Sequence, residues 1–407
     1  MKYLKWLAVG FLAGSLGGLF VQYLSVHPLQ MSIYLFATCV VLFVLIVVLV
    51  VGFRGKSLLI AVLLSLSLFL IGNFAMTKII LARDDPRPVP ELTRVPGDPG
   101  LGHTAVVYFT HGEPVTYNPI GWINQFNEFD EQGIAFIPML ARPFFFNELR
   151  NKYLEVGTSN HRAMHYRMIA SLEEAYRAEG DTTTKFYLSF LDDNPRPDAA
   201  AIQALNEGAS KIIVSEVFLT ISNHTAEGEH QIEALNIEET FDIPVAYTGP
   251  LYDSETLKSM FIERANANIG DTDKSNVGVL LVGHGQPDEW DVEWPTETEH
   301  ELGFRYDVLD IFAADGYQPD NLSLAWMSFK EPKPAAKVEE FLDNGIEKLL
   351  FFSAAISADA IHSQYDIPEL VYDATYPEGF PIIDLGAWND DPIVIRAIKE
   401  KIDPFME

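Results

Sequence analysis

Cysteine is almost absent from this chain: one residue, Cys39, in 407. It lies inside a long apolar run, so within one chain neither a disulfide framework nor a thiolate metal centre is available. Basic residues are also scarce, 28 against 57 acidic ones. Eight of the basic and only four of the acidic residues precede position 101, so the remainder carries about −33 before histidine protonation. Such a field repels nucleic acid and draws in cations, and most of it reads as a solvated acidic surface. There is no P-loop, no Gly-x-Ser-x-Gly, no Cys-x-x-Cys and no glycine-rich dinucleotide fingerprint after a strand. Nucleotide-dependent and serine-hydrolase chemistries therefore have no support.

Charge is missing altogether from Trp6 to Leu24, Ile33 to Phe53 and Leu58 to Met76, runs of 19 to 21 residues. At about 1.5 Å per helical residue each run covers a hydrocarbon core of roughly 30 Å. Residues 1–80 are therefore expected to form three transmembrane helices, the first an uncleaved anchor rather than a signal peptide. Gly10, Gly14 and Gly18 stand at four-residue spacing, which lets a neighbouring helix approach closely. Lys2 and Lys5 precede the first span, and Arg54 and Lys56 lie between the second and third. This distribution predicts an extracytoplasmic position for the chain beyond the third span.

Residues 81–102, rich in proline and acid, read as an extended linker. From Thr104 short apolar runs alternate with helical patterns, as in Tyr166 to Glu179 and Pro334 to Asn344. That alternation predicts an α/β fold, two pseudo-symmetric halves at 103–272 and 273–407, each a mostly parallel sheet flanked by helices. The halves echo one another. Ala105-Val-Val-Tyr-Phe-Thr-His111-Gly-Glu-Pro114 matches Val279-Leu-Leu-Val-Gly-His284-Gly-Gln-Pro287, and the runs starting at Lys211 and Lys348 precede His224 and His362. His111 to Lys211 spans 100 positions and His284 to Lys348 spans 64. The surplus falls in the aromatic stretch from Tyr117 to Phe146, with Trp122, Phe126, Phe129, Phe136, Phe144, Phe145 and Phe146, which reads either as a lid beside the cleft or as ordinary core.

In open α/β sheets ligands bind beyond the carboxyl ends of the strands, so four histidines there are placed to converge and hold a metal. His284, His362 and His111 are the candidate catalytic groups. Together with His224, Asp366 and Glu369 they are also the candidate metal ligands. Asp366 and Glu369 come four and seven residues after His362, one face of a continuous helix. Asp366-Ile-Pro-Glu369 also reads as a helix start with aspartate as N-cap. Glu229 and His230 are weaker candidates, and Asp288 to Glu293 reads as a solvated acidic loop or an ion funnel.

His284-Gly-Gln-Pro287 after a strand and His362-Ser-Gln-Tyr-Asp366-Ile-Pro368 after the last apolar run resemble the tetrapyrrole chelatase superfamily, the ferrochelatases and the sirohydrochlorin or cobalt chelatases. The segment from Glu148 to Ser159, with Tyr153 and Gly157, is similar to the ferrochelatase pattern R-Y-x-x-I-G-G-x-S, and Ala325-Trp326-Met-Ser328 to G-W-Q-S. By this resemblance His284 matches the histidine that binds metal and accepts pyrrole protons. His362 falls where ferrochelatases carry a glutamate and the shorter chelatases a second histidine. His111 takes the place of a residue facing the macrocycle. The resemblance implies a membrane-anchored lyase that inserts a divalent metal, cobalt or iron, into a tetrapyrrole without a nucleotide. The contrasting expectation is an extracytoplasmic protein that holds haem, another tetrapyrrole or a metal for a transporter or oligomeric partner. A catalytically dead structural relative is a third.

Overall fold

The computed structural model describes residues 2–83, 87–131 and 137–406. Phe136 and the side chain of Phe129, both in the aromatic stretch, lie outside the described residues, as do positions 84–86 of the linker. The chain divides into two compact units, residues 1–86 with 116–158, and residues 87–115 with 159–407. In this division residues 116–158, which hold the aromatic insertion, group with the three N-terminal apolar helices.

In the first unit α1 (Lys2–Ser25), α2 (Pro28–Gly52) and α3 (Lys56–Leu81) are long and apolar enough to cross a membrane. Close backbone approach supplies the packing between α1 and α3. It comes from three glycines on α1 and α3. A methyl group on Gly17 would overlap the Phe69 carbonyl, and one on Gly72 would overlap the Gly14 carbonyl. Gly10 and Gly18 face Leu68 and Met76 less tightly, so the seam expected from Gly10, Gly14 and Gly18 is centred on Gly14 and Gly17 instead.

The insertion adds α4 (Pro119–Glu131) and α5 (Arg142–Val156). Ile123, Phe126 and Phe146 are buried with Val21, Ile80 and Leu81 in one apolar cluster. A helix leaves its last carbonyls without intrahelical partners. At the end of α1 the insertion supplies donors: the Tyr117 hydroxyl to Ser25 O at 2.9 Å, and Arg150 Nη1 to Tyr23 O at 2.6 Å and Val26 O at 3.2 Å. Tyr117, Phe126 and Phe146 are thus buried in the core of this unit, with Trp122 and Phe145 packed against it, whereas Phe144 is exposed.

The second unit contains two four-stranded sheets, all of whose pairings are parallel. The first holds β1 (His103–Thr110), β2 (Lys185–Phe190), β3 (Ala209–Glu216) and β4 (Val245–Tyr247), in the order β2-β1-β3-β4. The second holds β5 (Val277–Gly283), β6 (Leu322–Trp326), β7 (Lys348–Ser353) and β8 (Ile382–Asp384), in the order β6-β5-β7-β8, the same topology. Both centres are continuous apolar runs, as strands covered on both faces require. Val106 and Tyr108 of β1 share a central core with Val279 and Leu281 of β5. The alternate residues face outward: Val107 and Phe109 pack with Ala201 and Leu205 of α7 (Pro197–Asn206) and Ile232 of α8 (Asn223–Glu233). The fold is the α/β arrangement of two pseudo-symmetric halves that the repeat predicts.

Residues 87–102 of the expected linker are held against this unit. Arg94 is buried and donates to the carbonyls of Leu205, Asp98 and Ala209, while Thr93 N donates to Asn206 Oδ1 at 2.8 Å.

Candidate functional site

The two central strands end alike. Gly112 and Gly285 take φ of 97° and 79°, a region open to glycine, and turn the chain directly after His111 and His284. Each ring then faces the carbonyl of its own glycine, His111 Nδ1 to Gly112 O at 3.0 Å and His284 Nδ1 to Gly285 O at 2.6 Å. A carbonyl only accepts, so in both residues Nδ1 carries a proton, and in His284, whose pKa burial depresses, Nε2 offers a lone pair. His362 is held by another route, its Nδ1 2.7 Å from Asp366 Oδ2.

The imidazoles form two pairs. His284 and His362 have ring centroids 5.3 Å apart, and His111 and His224 5.0 Å. The pairs are near enough that His284 and His111 both disfavour the charged form of His224. Burial is the main cause of the depressed pKa of His224, and it brings His284 down to about 4. The His224 and His284 rings are thereby held neutral at physiological pH, the form that binds metals and accepts protons. Among the described residues no three His, Cys, Asp or Glu side chains close into a cage for a metal ion.

His362 to Asp366 form a single π-helical turn before α14 (Ile367–Tyr372). The continuous helix expected to align His362, Asp366 and Glu369 is therefore interrupted. Asp366 makes no side-chain cap on α14 and instead orients His362, whereas Glu369 is exposed. Glu229 hydrogen-bonds to Glu216 at the end of β3, and His230 is exposed on the last turn of α8. In the acidic run Asp288 is open to solvent, while Asp291 accepts from Gln286, Thr298 and Lys330. Trp290 is buried with its ring 6.2 Å from His224. Of the resemblance segments, Ala325-Trp326 closes β6 in the second unit, whereas 148–158 lies in the first.

Several groups at the site carry no signal in the sequence. Asp192, just past β2, lies 3.4 Å from His111 Nε2. Glu301, on α12 (Pro295–Ala314, preceded in chain order by α9 at Ile237–Phe241, α10 at Glu255–Asn268 and α11 at Trp290–Glu293), accepts the backbone N–H groups of His284 and Gly285. It pairs with the fully buried Arg305 at 3.2 Å, whose guanidinium stacks 3.9 Å from the Trp326 ring and donates to Leu281 O and Ala325 O. His161 and His165, on α6 (His161–Ala178), are buried with Nε2 atoms 3.2 Å apart. His165 also contacts Tyr108, Thr110 and Ser357. Burial brings its pKa down to about 3.

These shifts predict the pH dependence of stability. The folded state resists protonating His165 and His284, so stability falls as pH drops from their ordinary value of 6.5 towards about 3 and about 4 and is unaffected by them above it. Glu216 and Glu297 are raised to about 9 and about 8 by burial and neighbouring carboxylates. Their contribution is complete below the ordinary 4.5 and is lost as pH rises through those values. Between pH 6.5 and 8 the two histidines no longer contribute to the slope, and Glu216 and Glu297, together with the other glutamates that burial raises, Glu113 and Glu301 among them, destabilise the fold as pH rises. The melting temperature of the full chain in detergent is expected to fall over this interval, and less so in a Glu216→Gln, Glu297→Gln variant. A flat profile in the unaltered protein would contradict the assignment.

No protein-family model matches the chain, and no curated protein matches it. Among solved structures it is similar to SirB from Bacillus subtilis with Fe3+, at 13% identity over 74% of this chain and 94% of that one, with a TM-score of 0.43. It is also similar to the sirohydrochlorin chelatase SirB from Bacillus subtilis subspecies spizizenii in complex with cobalt, at 12% identity, the same coverage and the same TM-score.

Proposed function

We propose that this chain is a membrane-anchored chelatase that inserts a divalent ion, cobalt or iron, into a tetrapyrrole without a nucleotide. The observation that carries the reading is the convergence of two repeat-related imidazole pairs in which His111, His284 and His362 each have Nδ1 tied to an acceptor, so that their rings are oriented from behind. Insertion exchanges two pyrrole protons for one M2+, so the site must strip water from the ion and accept two protons. Neutral imidazole does both near neutral pH. His284 and His362 are the assigned metal-handling and proton-accepting pair, with Asp366 orienting the His362 ring through Nδ1. His111 and His224 face them, and the acidic surface enriches cations nearby. An open set of paired ligands suits an ion that must leave again with the product.

The test incubates the full chain in detergent with sirohydrochlorin or a porphyrin and with Co2+ or Fe2+, and monitors absorbance. Catalytic turnover with one combination is expected. Tight stoichiometric binding of a macrocycle without metal exchange would overturn the enzyme reading and favour a carrier.

A further inference from the structure

Glu113 stands two residues past His111 and is buried, only 6% exposed, with burial pushing its pKa up. Burying a carboxylate is costly unless it is fully engaged. Here both oxygens face the backbone N–H of Ile361, at 3.0 and 3.2 Å, and the group also hydrogen-bonds to Ser159. Ile361 immediately precedes His362 and the π turn. The first half therefore grips the turn carrying the second half's histidine at its start. It does so again further along, where Asn160 N donates to Gln364 Oε1 at 2.9 Å. A third link lies behind these: Thr110 Oγ1 is 3.3 Å from Ser357 Oγ, and both hydroxyls face His165 Nε2. Each link joins a residue beside His111 or at the start of α6 to the loop that leads into His362 or to the π turn itself.

The geometry points to Glu113 as a positioning residue that latches the His362 turn to the His111 loop and so fixes the separation of the two halves' histidines. Its catalytic consequence rests on the chelatase reading, but the latch itself does not. A π turn at this place makes such a latch necessary, because its first amides have no carbonyl within the turn to bond. Without the carboxylate, Ile361 N–H would be a buried unpaired donor and the turn would shift to find water.

The experiment uses the full chain in detergent with Glu113→Ala, Glu113→Gln and Glu113→Asp. Hydrogen–deuterium exchange is read over residues 358–366, alongside kcat and KM for the metal in the insertion assay. Glu113→Ala is expected to speed exchange at Ile361 and His362 about tenfold and to lower kcat by a similar factor. Glu113→Gln keeps an acceptor oxygen for Ile361 and should restore both. Should alanine loosen the whole unit, Glu113→Asp, which withdraws the carboxylate by one methylene, should still show the local increase. Unchanged exchange in both alanine and aspartate variants would overturn the latch. A glutamine variant as slow as alanine would overturn it in favour of a role for the charge. If exchange responds as expected while the unaltered protein shows no insertion, the latch stands and the chelatase reading fails.

Discussion

Replacing His284 by alanine is expected to lower metal insertion by roughly 10²- to 10⁴-fold, the range for loss of a positioned proton acceptor. Melting temperature should change little. His284 sits at the end of β5 with its neutral ring bonded to the adjacent Gly285 carbonyl, so its removal takes away a lone pair rather than a tie between distant elements. His362→Ala should fall in the same range, because the two rings form one pair. Rates measured with saturating metal and with limiting metal separate the two duties. A loss confined to limiting metal would assign His284 to capture of the ion, and a loss in both to proton removal as well. Activity within twofold of the unaltered protein would remove His284 from the site altogether.

The second large effect is expected at Glu301. It and Arg305 are both almost wholly buried and pair across one turn of α12. Removing one partner of a buried ion pair typically costs about 3–5 kcal/mol, since the other charge stays in the interior uncompensated. Glu301→Ala would also release the backbone amides of His284 and Gly285. Denaturant unfolding of the full chain should show a lower midpoint, and insertion should weaken beyond what lost folded protein explains. Replacing both residues together, as Glu301→Leu with Arg305→Met, should recover much of the stability but not the activity. A single variant as stable as the parent would show that the pair is not under the constraint its burial implies.

What is legible in the sequence is what repeats locally. The apolar run ending in His-Gly occurs twice, and both copies form central strands with their histidine at the same end. Three uncharged runs form three long apolar helices. The four-residue spacing of His362 and Asp366 puts them in contact even though the backbone there is a π turn rather than an α-helix. Groups that act through the fold are not legible. Glu113 is one acidic residue among 57 until the His362 turn arrives from some 250 positions away. Glu301 and Arg305 look like any charged pair on a helix face, and only the close approach of Gly283, where a methyl group would collide with both side chains, shows why they are buried. Spacing favours Gly10 and Gly18 over Gly17, because the partner that selects Gly17, Phe69 on α3, is a property of the crossing and not of α1.

The aromatic insertion alters what the membrane helices amount to. The polypeptide passes between the two units at 86/87, returns at 115/116 and leaves again at 158/159. A protein with a simple leash would give up its working part to a single cut. Here a cut between residues 87 and 102 breaks the backbone path to the three helices but leaves the histidine-bearing unit covalently joined to residues 116–158, whose Ile123, Phe126 and Phe146 pack with Val21, Ile80 and Leu81 of those helices. No starting point after the third helix yields that unit alone, because residues 116–158 travel with it, stripped of the Val21, Ile80 and Leu81 surface that buries Ile123, Phe126 and Phe146. The two units are thus covalently interleaved, and one is not detachable from the other by shortening the chain from its beginning.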